Sequence, residues 1–129
     1  MRFEKKFLYL ILPLAWMMLI LYQSSRPSIA SGANLAFIGH FTEYSFLAAL
    51  IFLSLYKTTN LNNVAILIYA IVLSSAFGII DELYQSTIPT RFSDINDVIT
   101  DLLSSIFGAL LLFYILTTFF PKKEKYQGI

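Results

Sequence analysis

Residues 81–101 read DELYQSTIPTRFSDINDVITD and hold five of the chain's eight acidic residues around one arginine, Arg91. Upstream, HFTEY at 40–44 carries the only histidine, and His40, Glu43 and Tyr44 at i, i+3 and i+4 share one helical face. Asp97, Asp101, Ser104, Ser105 and Gly108 follow i, i+4, i+7, i+8 and i+11, a single helical stripe. Three chemistries are open to such a set. Carboxylates with a histidine can hold a divalent cation, with hard oxygen ligands suiting Mg²⁺ or Ca²⁺. His40, Asp81 or Glu82 can act as general acid and base. Arg91 can clamp a phosphate or carboxylate on a ligand. No HExxH, GxSxG or cysteine-based site occurs, so spacing alone selects no reaction class.

Structural roles compete for some of these residues. Ser93 or Asp94 is a plausible helix N-cap, with Asp97 in the first turn where the helix dipole favours negative charge. Asp81 and Glu82 can end a helix in solvent, and Arg91 can neutralise the acids as an ion-pair partner. Glu43 and Asp101 fit those roles least, because Glu43 lies inside an apolar run and Asp101 directly borders one, a full turn beyond Asp97.

The elements that position these residues are apolar. The 129-residue chain is 57% hydrophobic, 16% aromatic and only 13% charged, with a mean hydropathy of +0.70. Soluble domains carry about a quarter charged residues, so an integral membrane protein is expected. A net charge of +1 gives no basis for nucleic-acid binding, and the lack of cysteine excludes disulfides and thiolate chemistry. Apolar runs cover 7–22, 41–56, 64–80 and 102–120. Backbone groups in lipid must be satisfied within each segment, so the runs predict helices. The expected fold is all-α: one membrane domain over 1–129, with transmembrane helices near 7–22, 39–56, 64–84 and 96–120. A signal peptide cleaved after Ala30 is the rival reading of the first run; its length and its Pro13, Trp16 and Tyr22 favour a retained helix.

With four spans, Arg2, Lys5, Lys6, Lys57, Lys122, Lys123 and Lys125 share one side, seven of the nine basic residues. The positive-inside rule makes that side, with both termini, cytoplasmic. His40, Glu43, Asp81, Glu82, Gln85, Arg91, Asp97 and Asp101 then gather at the opposite, outer membrane surface. The small residues Ser74, Ser75 and Gly78 are expected to face Ser104, Ser105 and Gly108 across two close-packed helices.

The motifs HFTEY at 40–44, DELYQSTIPTR at 81–91 and FSDINDVITD at 92–101, followed by Gly108, closely resemble the VanZ-like family of bacterial membrane proteins. YQSSRPS at 22–28 is similar to the serine-rich end of that family's first helix. The resemblance places the family pattern on His40, Glu43, Asp81, Glu82, Gln85, Pro89, Arg91, Asp97 and Asp101. The chain departs from it where Ala36 and Phe37 replace a frequent Asp-Lys pair, Thr90 a frequent glycine, and Asp101 an asparagine. The founding member's association with teicoplanin resistance implies action at the cell envelope. The expected function is a plasma-membrane protein, surrounded by lipid, whose outward polar pocket binds a lipid-linked envelope component or a glycopeptide. Alternatives are a membrane-embedded enzyme acting on a lipid-linked substrate and a small transporter.

Overall fold

The computed structural model describes residues 3–27 and 32–121, and its described residues form four helices without strands. They are α1 (Phe3–Ser24), α2 (Ala33–Thr58), α3 (Asn63–Gln85) and α4 (Ile95–Phe119). At about 1.5 Å per residue each is long enough to cross the roughly 30 Å hydrocarbon core, and each has the length and apolar composition of a membrane span. The outer faces carry large apolar side chains such as Phe7, Leu14, Met18, Ile68, Leu103 and Tyr114. Lipid solvates that surface, which water would not. The chain is therefore a multi-pass membrane protein. The Ala30 cleavage position, and the basic residues Arg2, Lys122, Lys123 and Lys125, lie outside the described residues.

α2 is the organising helix and packs against all three others, whereas α1 touches α2 and α3 but not α4. Direction alternates along the chain. At one end Gln85 on α3 meets Ser24 on α1, and His40 on α2 meets Asp101 on α4. At the other, the Tyr56 hydroxyl donates to the Phe120 carbonyl at 2.8 Å. That second end is apolar inside, with Ile51, Phe52, Ile66, Ala70 and Leu116 buried together. Asn62 caps α3 by accepting from the Ala65 N–H, and Asp94 caps α4 by accepting from that of Asn96. Hydroxyls inside the helices mostly bond back one turn, as Thr100 does to Asn96 and Thr117 to Phe113, which satisfies them without an outside partner.

Two packing details differ from expectation. α2 starts at Ala33 rather than near residue 39, because Gly39 and His40 interrupt the apolar run without interrupting the helix. His40 and Glu43 thus sit in the second and third turns and not at a helix start. The small-residue face of α3 meets α4 at Ser74, whose hydroxyl receives a 2.8 Å hydrogen bond from Ser105. Gly108 instead faces α2, where a Cβ would lie 1.9 Å from the Ser45 carbonyl oxygen. Gly78 faces Asp101, where a Cβ would lie 2.9 Å from Oδ2.

Candidate functional site

Each predicted site residue falls at the end of the bundle where α1 and α3 finish and α2 and α4 begin. They form two connected groups. In the first, His40 Nδ1 donates to Asp101 Oδ1 at 2.9 Å, and Asp97 Oδ2 lies 3.8 Å from Nε2. Asp101 is 1% exposed and Glu82 2%. One ligand atom each from His40, Glu82 and Asp101 falls within 4.8 Å of the others. Glu82 is turned inward, with Oε2 accepting from the Asp94 N–H at 3.3 Å. The α4 N-cap residue thereby also holds an acid from α3.

In the second group, Asp81 Oδ2 accepts from the Tyr44 hydroxyl at 3.2 Å and from Gln85 Nε2 at 2.9 Å. The Gln85 amide carbonyl in turn accepts from Arg91 Nη1 at 2.9 Å. Arg91 does not neutralise the acids directly. Among the described residues, ion pairs within 4 Å of a carboxylate involve His40 alone. The guanidinium reaches the carbonyls of Gln23 and Arg26 instead, each at 3.1 Å. Gln23 lies in the last turn of α1, where cations are favoured by the dipole, and Arg26 lies two residues beyond the helix. Arg91 therefore ties the α3–α4 connection to the end of α1.

The two groups meet through Tyr44, which is fully buried and stacks on His40 with ring centroids 6.3 Å apart. Tyr44 shares its face with His40 in the sequence, but its bond to Asp81 is not visible there because it crosses to another helix. Ser24, Trp16 and Gly78 were likewise not among the predicted site residues. Ser24 accepts from Gln85, and Trp16 Nε1 donates to the Glu43 carbonyl at 3.0 Å, fixing α1 against α2. Gly78 leaves room for Asp101, and its signal was a glycine three residues before Asp81.

Above the buried acids lies a cavity of about 390 Å³. His40, Glu43, Gln85, Arg91 and Asp97 supply its polar wall, and Leu35, Ala36 and Phe92 an apolar part. Asp81, Glu82 and Asp101 do not line it; they sit beneath, and His40 and Gln85 connect the two levels. The arrangement can bind a polar group from one side, and His40, oriented by Asp101, can move a proton at Nε2.

No curated protein and no solved structure matches the chain. A family model described as VanZ/LLP1 matches residues 3–120, which span all four helices and both groups of site residues, and the chain belongs to that family.

Proposed function

We propose that this VanZ/LLP1 protein lies in the bacterial plasma membrane with its termini in the cytoplasm and binds the polar head of an amphiphilic envelope component. The single observation behind this reading is the cavity, polar on one wall and apolar on another, at a helix-end layer of a membrane bundle. Its volume of about 390 Å³ is at the small end of ligand sites. It suits a head group, or an appended part of a glycopeptide, with the apolar remainder left in lipid. Glu43 and Asp97 would accept from hydroxyl or ammonium groups, and Arg91 would donate to an anionic one. A lipid-linked wall precursor carries both kinds of group. The orientation rests on Lys5, Lys6 and Lys57 at the end of the bundle away from the cavity. The apolar interior at that end favours a cup over a transport path.

Purified protein in lipid nanodiscs should bind lipid-linked wall precursors or teicoplanin saturably. Glu43→Gln and Arg91→Gln should each weaken that binding about tenfold, the loss of one charge-assisted contact. An absence of saturable binding, or binding by both variants as tight as the parent's, overturns the proposal. The His40–Asp101 hydrogen bond favours a second reading, a membrane-embedded enzyme acting on the same class of lipid. The same incubations decide it: a chemically altered lipid that disappears with Glu82→Gln supports an enzyme, and unchanged lipid with intact binding leaves a binding protein.

A further inference from the structure

Three carboxylates beneath the cavity share one peculiarity. Each has one oxygen held by the protein and one buried oxygen without a hydrogen-bond partner among the described residues: Asp81 Oδ1, Glu82 Oε1 and Asp101 Oδ2. A buried polar atom left unpaired costs about 1–3 kcal/mol, and more when charged. In a membrane helix bundle such acids commonly mark an ion or ligand site. At Glu82 and Asp101 the orphan oxygens occur where a third donor, His40, brings a ligand atom within 4.8 Å of both residues.

We propose that His40, Glu82 and Asp101 form a site for one first-row divalent cation, Mn²⁺ or Zn²⁺, beneath the cavity. The donor set selects the metal class. Two carboxylates alone would suit Mg²⁺ or Ca²⁺, but an imidazole nitrogen shifts preference toward Zn²⁺ and Mn²⁺, with no thiolate to favour softer metals. The surroundings resemble the support that metal ligands receive elsewhere. The Asp94 N–H holds Glu82 through Oε2 and the His40 ring stacks on Tyr44, while a cation held by His40 Nδ1 and Asp101 would replace the proton those two residues share at 2.9 Å. Gly78 opens the space that Asp101 Oδ2 occupies, since a Cβ there would stand 2.9 Å from that oxygen. Asp81 stays outside the set: its Oδ2 is held by Tyr44 and Gln85, and it is not among the three residues whose ligand atoms converge. The cation site does not depend on what the cavity binds.

Full-length protein carrying no histidine tag, purified in detergent with chelator and then freed of it, should take up one Mn²⁺ or Zn²⁺ per chain. Titration with Mn²⁺, followed by loss of the free-ion electron paramagnetic resonance signal and by Zn²⁺ competition, measures this. Glu82→Gln and Asp101→Asn should weaken binding by at least about tenfold, whereas Tyr114→Phe, exposed near the far end of α4, should not. The chain has a single histidine, so a pulsed-resonance coupling from imidazole nitrogen to bound Mn²⁺ in the unsubstituted protein assigns the ligand to His40 even where a variant fails to fold. Saturable binding with that coupling supports the site. No binding at roughly millimolar Mn²⁺ or Zn²⁺, bound Mn²⁺ lacking the nitrogen coupling, or parental affinity in folded Glu82→Gln and Asp101→Asn, overturns it.

Discussion

Gly108→Ala is expected to destabilise the bundle by about 2–3 kcal/mol, in the upper range for overpacked interiors. The built Cβ would sit 1.9 Å from the Ser45 carbonyl oxygen, 2.6 Å from its carbon and 2.7 Å from its Cα. All three are backbone atoms, so no side chain can rotate away, and α2 and α4 must move apart. Lipid offers no hydrophobic drive to restore the contact, since membrane helices associate through close packing. The displacement should reach the polar layer, because His40 and Asp101 lie one to two turns further along the same two helices. The expected result is a lower unfolding midpoint in mixed detergent together with loss of ligand or cation binding. An alanine variant as stable as the parent would mean that α2 and α4 do not cross at this point. Gly39→Ala is the natural comparison: a Cβ there meets nothing within 4 Å, so its midpoint should hardly move.

The second large effect concerns His40. Asp101 is 1% exposed and its Oδ1 has His40 as partner, while Oδ2 has none among the described residues. His40→Ala therefore removes the partner of a buried acid, which typically costs about 3–5 kcal/mol. Asp101→Asn keeps the size of the side chain and an acceptor for His40, and should cost less, about 1–2 kcal/mol. The double variant should be less destabilised than the sum of the singles by at least about 1 kcal/mol, because the unpaired acid that makes His40→Ala costly is then gone. Unfolding measured with chelator present separates this coupling from any contribution of bound metal. Strict additivity would show that the 2.9 Å contact contributes nothing to the fold.

Both effects depend on details of unequal visibility in the sequence. Four helices followed from length and hydropathy, since an apolar run in lipid has no other way to satisfy its backbone. The gathering of acids at one end followed from connectivity: spans that alternate in direction bring the end of α1, the start of α2, the end of α3 and the start of α4 to the same level. His40, Glu82, Arg91 and Asp101 were placeable on that argument before any contact was known. The start of α2 was less visible, because hydropathy records where lipid is preferred and not where helical hydrogen bonding begins.

Periodicity states which residues share a face of one helix, but not how far that helix is rotated or which neighbour it meets. Glu43 and Asp101 look alike in the sequence, one an acid inside an apolar run and the other an acid at the edge of one. Packing separates them: Glu43 lines the cavity, while Asp101 lies under His40 against Gly78. Arg91 stood among acids in the chain, yet its guanidinium reaches Gln85, the Gln23 carbonyl in the last turn of α1 and the Arg26 carbonyl just beyond it, 65 residues away. Composition and span order thus determined that a polar layer exists and which end of the bundle holds it. The rotations of α2, α3 and α4 about their own axes, set by the contacts at Gly108, Gly78 and Ser74, decided which acids are paired and which buried oxygens are left open.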